Sequence, residues 1–193
     1  DSWLVKNYHF FEAAKYIDEL IILDASRTER DHTVFLDSVA KVTEGVFVPL
    51  TLGGGVRLVS DAKEYFDGGA DKVIVNSGYF EDEYLLNSLA EVYGRQSIVL
   101  QLDYKLGVSG SAIAWSHNGE RVQRSVVEIL HSKPTVGEIV LHSIDQDGTA
   151  RGFDHSLIQY IEEFDFCPIS MSGGGGKKEH FLEMLELHSV DAV

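Results

Sequence analysis

Short apolar runs, rich in β-branched residues and almost free of polar ones, recur along the whole chain. Runs of this kind are typical of strands buried on both faces, which is how strands sit in parallel sheets. Segments with helical apolar spacing, the first at Leu4, Tyr8 and Phe11, alternate with the runs. The predicted strands are Leu20–Leu23, Val46–Leu52, Lys72–Val75, Ser97–Leu102, Glu138–Leu141 and Pro168–Met171, with a last one expected to start at Asp191.

This alternation fits either an open doubly wound sheet or a (β/α)8 barrel. A dinucleotide-binding sheet would carry Gly-x-Gly-x-x-Gly after its first strand, and none follows Leu20–Leu23. Polar or glycine-rich residues instead follow nearly every strand, and a rim built from all the loops at one end is the barrel arrangement. We therefore predict a single α/β domain over 1–193, a (β/α)8 TIM barrel. The chain starts at Asp1 rather than Met and ends in mid-pattern, so we expect the first strand unit to be missing and the last truncated.

One long interval separates the strands ending at Leu102 and starting at Glu138. It contains Ser109–Trp115 and the turn dipeptide Asn118-Gly119. These features predict a small hairpin, inserted before the helix of that unit.

Composition limits the class of function. The 193 residues are 44% hydrophobic and 24% charged, as in soluble globular proteins, and no apolar run approaches the ~18 residues that span a bilayer. The net charge of −15 argues against nucleic-acid and membrane partners, but not against small phosphorylated substrates bound by backbone N–H groups. The single cysteine, Cys167, allows no internal disulfide and fits a cytoplasmic location.

Two glycine runs, Gly53-Gly54-Gly55 and Gly173–Gly176, each lie between a strand and a helix. Glycines there let the backbone approach an anion, although a tight turn needing positive φ explains one run equally well. Two runs at corresponding places in the two halves favour phosphate binding. Two such sites facing each other would suit a substrate with a phosphate at each end.

Asp103 follows the strand Ser97–Leu102, where a barrel places the mouth of its site. A carboxylate there can act as general acid or base, whereas a helix cap or an ion pair with Lys105 is an equally simple explanation. The polar loop Ser143–Thr149 loosely resembles a calcium loop but lacks the twelve-residue pattern and its closing Glu. We therefore predict no metal site.

Charged residues also stand at the opposite, amino-terminal ends of three strands: Glu19, Lys72 and Glu138. They could simply solubilise that face. If they point into the barrel, however, the opposite signs should pair, because unpaired buried charge is unfavourable.

Together these residues resemble the cyclase subunit of imidazole glycerol phosphate synthase, a (β/α)8 barrel of histidine biosynthesis. The resemblance implies an enzyme that takes ammonia from a glutaminase partner docked at the bottom of the barrel. With it, the enzyme would convert a bisphosphorylated ribulosyl aminoimidazole carboxamide nucleotide into imidazole glycerol phosphate and aminoimidazole carboxamide ribotide, without a cofactor. The matching segments are Asp18–Asp24, Leu52–Gly55, Gly69–Val73, Asn76-Ser77, Leu102-Asp103, Gly137–Ile139, Ser143–Thr149, Ser172–Gly174 and His180–Glu183.

The resemblance also implies roles for single residues. Asp103 matches one of two acid–base carboxylates; the other belongs to the strand expected to be missing, so the chain as given is expected to be inactive. Glu19, Lys72 and Glu138 match three of four charged residues at the ammonia entrance, and Asp71 matches a contact to the glutaminase. The residues implied to bind the substrate and its two phosphates are Asp24, Gly54, Gly55, Asn76, Ser77, Asp147, Gly148, Thr149, Gly173 and Gly174.

Two departures from the family pattern lie at the mouth. Ala25-Ser26-Arg27 follows Asp24 where a Thr-containing segment is usual, and His142 stands in place of a Thr. This pattern resembles paralogues that channel ammonia for the amidation of surface-polysaccharide sugars. The histidine-pathway cyclase is our first hypothesis, with that ammonia conduit and a non-catalytic glutaminase-binding barrel as alternatives.

Overall fold

The protein is described by a computed structural model that covers residues 15–26 and 30–193. Residues 1–14, with the helix expected around Leu4–Phe11, lie outside the described residues, and so does Arg27. None of the helices in the described part is long and apolar enough to cross a bilayer.

The described residues form one eight-stranded sheet that is mostly parallel. The parallel part runs in the order β1-β2-β3-β4-β7-β8, and Ala192 adds a parallel bridge to Ser170 of β8. The strands are β1 Leu20–Leu23, β2 Leu50–Gly53, β3 Lys72–Val75, β4 Ile98–Leu106, β5 Ala112–Ser116, β6 Arg121–Ser125, β7 Glu138–Ser143 and β8 Ile169–Ser172. The predicted barrel class of fold is confirmed.

Strand β2 begins four residues later than predicted. Val46 donates its backbone N–H to Thr43 O in the turn that closes the preceding helix, and Phe47 is 95% exposed. Pro49 has no N–H to give to the sheet, although its carbonyl accepts from Leu20 N at 3.0 Å. The parallel pairing therefore starts only at Leu50.

The predicted hairpin is confirmed, and it extends the sheet. Strands β5 and β6 are antiparallel and turn at His117–Glu120, which contains Asn118-Gly119. Strand β5 also pairs with the end of β4, so β4 continues to Leu106 rather than stopping at Leu102. The hairpin thus extends beyond the carboxyl-terminal ends of the parallel strands.

Helices follow the parallel strands, as in a chain of βα units. Asp31 caps α1 by accepting a hydrogen bond from Val34 N at 3.1 Å, and Gly94 ends α4 with φ of 80°. The helices are α1 His32–Val42, α2 Val59–Asp67, α3 Ser77–Glu81, α4 Leu85–Tyr93, α5 Val126–His131, α6 Ile158–Ile161 and α7 Lys178–Leu185.

The strands bury side chains on both faces, and the two faces differ. One face, with Leu52, Val73 and Leu100, packs in the large core with the helices. The other face carries a small separate cluster of Ile74, Val99 and Val140. Because alternate residues of a strand point to opposite faces, this second face also carries Lys72, Gln101, Asp103, Glu138 and His142. It is the inner face of the curled sheet, with apolar residues in the middle and polar ones at both ends.

Candidate active site

The carboxyl-terminal ends of β1 to β4 surround a pocket of about 140 Å³. Six of the predicted site residues line it: Asp24, Gly54, Gly55, Asn76, Ser77 and Asp103. The other predicted binding residues, Asp147, Gly148, Thr149, Gly173 and Gly174, belong to the neighbouring sector of the rim, after β7 and β8. The structure therefore divides the predicted residues into two adjoining groups.

The glycine turn after β2 forms one wall of the pocket. Gly54 has φ of +115°, and a Cβ there would lie only 2.4 Å from Asp24 O. The hydroxyl of Tyr65 in α2 donates to Gly54 O at 2.6 Å and so fixes the turn from behind. Only glycine allows β1 and this turn to approach so closely.

The opposite wall is built by Asn76 and Ser77, at the end of β3. Asn76 Nδ2 donates to Gln101 O at 3.1 Å, and Ser77 Oγ donates to Asn76 Oδ1 at 3.2 Å. The backbone N–H of His117, in the hairpin turn, donates to Ser77 Oγ at 2.9 Å. The hairpin thereby covers this side of the pocket.

Asp103 lies within β4, half-buried, so the helix-cap explanation is wrong. The ion-pair explanation is also wrong, because Lys105 Nζ instead lies over the Trp115 ring, 4.4 Å from its centroid. Burial raises the pKa of Asp103, and nearby Asp147 raises it too, while a 2.6 Å hydrogen bond from Gln101 Nε2 and the proximity of His142 act to lower it. The net shift is upward, which brings the carboxyl group nearer to the range where it can exchange protons at working pH.

The second group of residues is formed by two loops that pack against each other. Gly152 N donates to Gly174 O at 2.9 Å, and a Cβ at Gly174 would lie 2.1 Å from Gly152 O. In the same way, a Cβ at Gly173 would lie 2.7 Å from Ser143 O. The glycine run after β8 thus contacts the loop after β7, which carries Asp147, Gly148 and Thr149.

At the other end of the inner face, the three residues predicted to lie at an ammonia entrance, Glu19, Lys72 and Glu138, form one ion cluster. Lys72 Nζ lies 2.6 Å from Glu19 Oε2 and 3.0 Å from Glu138 Oε2. Burial acts to lower the pKa of Lys72, but the hydrogen bonds to Glu19 and Glu138 outweigh it, and the pKa is raised. Side chains from strands two places apart meet here because the sheet is curled.

Two buried hydroxyl groups complete this cluster. Thr51 Oγ1 donates to Glu19 Oε1, and Ser170 Oγ donates to Glu138 Oε1 at 2.7 Å. Thr51 is fully buried and Ser170 is 8% exposed. Neither was predicted, although each is a hydroxyl residue flanked on both sides by apolar residues of its strand, which is the signal that could have revealed them.

Comparison with known proteins places the chain in a family. Residues 4–193 match the family described as Histidine biosynthesis protein. The chain belongs to this family. A Parasynechococcus marenigrum (strain WH8102) protein, provisionally named imidazole glycerol phosphate synthase subunit hisF2, is 38% identical over 99% of this chain and 72% of its own length. Imidazole glycerol phosphate synthase subunits HisF from Streptococcus sanguinis (strain SK36) and Pyrococcus furiosus (strain ATCC 43587 / DSM 3638 / JCM 8422 / Vc1) are 37% and 35% identical, each over 92% of this chain and 71% of their own.

The family resemblance stated from the sequence is thereby confirmed. The matched relatives of this histidine biosynthesis protein are named as subunits of one synthase, which supports the first of the three hypotheses over its two alternatives. The roles of single residues are not decided by these similarities and remain predictions.

Asp71 has a structural role in this histidine biosynthesis protein that the sequence did not predict. Its carboxylate accepts from Leu50 N at 2.8 Å, and its own N–H donates to Leu50 O at 2.8 Å, so it fixes the start of β2. Asp191 makes the same pair of bonds with Ile169 at the start of β8. Asp71 is exposed on the face of the ion cluster, and its contact with a partner stays a prediction.

Arg30 and Arg57 also line the pocket, and the sequence predicted neither. Arg57 Nε donates to Glu81 Oε2 at 2.8 Å, while His117 Nε2 lies 2.7 Å from the other oxygen of Glu81. Arg30 lies in the loop before α1, a segment without periodic pattern. No three His, Cys, Asp or Glu side chains within residues 15–26 and 30–193 are grouped as a metal site would require.

Proposed function

We propose that this protein is the cyclase subunit of imidazole glycerol phosphate synthase in histidine biosynthesis. It would use ammonia to convert the bisphosphorylated ribulosyl aminoimidazole carboxamide nucleotide into imidazole glycerol phosphate and aminoimidazole carboxamide ribotide. One observation carries the proposal. The ion cluster of Glu19, Lys72 and Glu138 and the raised-pKa carboxyl of Asp103 lie at opposite ends of one inner face.

Ammonia would enter at the ion cluster and travel along this face to Asp103. The side chains between the two ends are Ile74, Val99 and Val140, all at most 5% exposed. Apolar surroundings disfavour the charged ammonium ion and allow neutral ammonia to pass. The passage would therefore deliver the nucleophilic form of the nitrogen.

The substrate would lie across the rim with one phosphate in each group of residues. Gly55, Asn76 and Ser77 would hold one phosphate in the pocket, and Gly148 and Gly174, with Asp147 nearby, would serve the other end. Asp24, Gly54, Thr149 and Gly173 would complete the binding surface. Asp103 stands between the two groups, on β4, where it would act as an acid–base group on the reacting part.

A glutaminase subunit would dock at the face that carries Glu19, Lys72, Glu138 and Asp71. Hydrolysis of glutamine at that face would release ammonia next to the ion cluster rather than into solvent. The cluster would have to open for passage, for instance by a rotamer change of Lys72.

The proposal is tested by incubating the full-length protein with ammonia and the bisphosphorylated nucleotide. Formation of imidazole glycerol phosphate, followed by chromatography, is the expected result. A correctly folded protein that forms none would refute the proposal. The same assay with a glutaminase subunit and glutamine in place of ammonia tests the partner.

A further inference from the structure

Arg30 lines the pocket beside the residues proposed to hold a phosphate, and it has no assigned role. We propose that Arg30 is a specificity-determining residue that binds this phosphate through its guanidinium group. The inference rests on the proposed function, because it takes the pocket of Gly54, Gly55, Asn76 and Ser77 as a phosphate site.

The position of Arg30 is set by the glycine turn. Its Cδ would lie 2.7 Å from a Cβ at Gly55, and its Nε 3.1 Å from it. The arginine stem therefore lies flat against a glycine whose φ is +76°, a conformation that other residues rarely adopt. Gly55 serves both purposes at once, since it shapes the turn and leaves room for the arginine beside it.

The guanidinium group is not saturated by the protein. Arg30 Nε is buried and has no hydrogen-bond partner among the residues that the structure describes. The carboxylate oxygen Asp24 Oδ2 lies 3.9 Å from it, too far for a hydrogen bond, while Asp24 Oδ1 accepts from Ser26 N at 2.9 Å. A buried donor without an acceptor is unfavourable, so an entering anionic oxygen would relieve it.

Arg57, the second arginine of the pocket, differs from Arg30 because the protein itself pairs its Nε. Its Nε donates to Glu81 at 2.8 Å, and this charge-assisted bond holds it to the protein. Burial acts to raise the pKa of Glu81, but Arg57 and then His117 lower it, and the net shift is downward. Arg57 thus belongs to a stable ion pair with a charged carboxylate, whereas Arg30 has only a loose one.

Charge explains why an arginine is needed at this place. The chain carries a net charge of −15, and the buried carboxylate of Asp24 stands in the pocket itself. Both repel a phosphate dianion, and a cation between Asp24 and the phosphate offsets that repulsion. The guanidinium fork can also donate two parallel hydrogen bonds to two phosphate oxygens, a fixed planar geometry that a lysine ammonium lacks.

The experiment is a calorimetric titration of the full-length protein with inorganic phosphate at neutral pH. Arg30→Gln should weaken binding by about 10- to 100-fold at one of the sites, as expected for loss of a charge-assisted hydrogen bond. Arg30→Lys keeps the charge and should fall between. Arg121→Gln, on the exposed start of β6, changes the net charge equally and should bind phosphate as the parent does.

The outcomes separate the two proposals. If the parent binds phosphate and Arg30→Gln binds it equally well, the role of Arg30 is refuted while the phosphate site stands. If the parent binds no phosphate, the site itself is refuted and Arg30 with it. Circular dichroism checks the fold, and if Arg30→Gln fails to fold, Arg30→Lys with unchanged affinity refutes the bidentate contact.

Discussion

The two ends of the inner face both carry charged side chains, but they differ in whether the protein satisfies the hydrogen-bonding groups of those side chains. At the amino-terminal end, Glu19, Lys72 and Glu138 satisfy one another, and the hydroxyl groups of Thr51 and Ser170 donate to the other carboxylate oxygens of Glu19 and Glu138. At the carboxyl-terminal end, Arg30 Nε lacks an acceptor among the described residues, and burial raises the pKa of Asp103. A closed network stabilises the fold, while incompletely paired groups are available to a ligand. The comparison separates a closed ion cluster from groups that are free to bind a ligand.

The largest effect is expected at the mouth, on turnover rather than on folding. Asp103→Asn keeps the shape and can still accept from Gln101, but it cannot exchange a proton, so turnover should fall roughly 10²–10⁴-fold. Steady-state rates with ammonia and the nucleotide measure this. Asp145→Asn, an exposed carboxylate on the adjoining loop, is the matched control and should remain active. An Asp103→Asn variant as active as the parent would remove the assignment.

The next largest effect is expected at the ion cluster, where a substitution should lower the stability of the fold. Lys72→Met leaves Glu19 and Glu138 without their cation, and breaking a partly buried ion cluster of this kind should lower the free energy of unfolding by about 2–4 kcal/mol. Chemical denaturation at neutral pH measures it. Lys63→Met, which removes an exposed pair with Asp67, should change it far less. Equal losses in the free energy of unfolding would show that the ion cluster stabilises the fold no more than an exposed ion pair does.

A smaller effect is expected from removing one of the hydroxyl groups that donate to the ion cluster. Thr51→Val preserves shape but leaves a Glu19 oxygen without its donor, which should lower the free energy of unfolding by about 1–2 kcal/mol. Thr33→Val, at the exposed start of α1, is the control. A Thr51→Val variant as stable as the control would mean that water replaces the hydroxyl.

The smallest effect concerns the pH dependence of stability. Because the folded-state pKa of Asp103 is raised, its contribution is fully present below the ordinary aspartate value of 3.8 and is lost as pH rises through the folded-state pKa. The parent should therefore lose stability relative to Asp103→Asn over that interval. Denaturation midpoints of both proteins across acidic to neutral pH measure the difference. A difference that is constant with pH, or of opposite sign, would contradict the raised pKa.

Much of the fold could be predicted because its signals are local. Short β-branched runs located β1 and β3 to the residue, and the sign of each charge predicted that Lys72 would meet Glu19 and Glu138. The predicted start of β2 was wrong because an apolar run does not show at which residue strand pairing begins. Pro49, which has no N–H to donate, precedes the first paired residue, Leu50. Arg30 was missed for a different reason. Its role depends on how a non-periodic loop returns to Gly55, which only the folded chain reveals.

We propose that ammonia passes from the ion cluster to Asp103 along one inner face. Val99→Phe would narrow the apolar stretch between them, and turnover should then be measured with glutamine and the glutaminase subunit, and separately with ammonia. The ratio of glutamine-dependent to ammonia-dependent turnover should fall well below that of the parent, because ammonia in solution can also reach Asp103 from the mouth. Ammonia-dependent turnover serves as the internal control for folding, since an enlarged core side chain can destabilise the protein. An unchanged ratio would show that ammonia does not pass along this face.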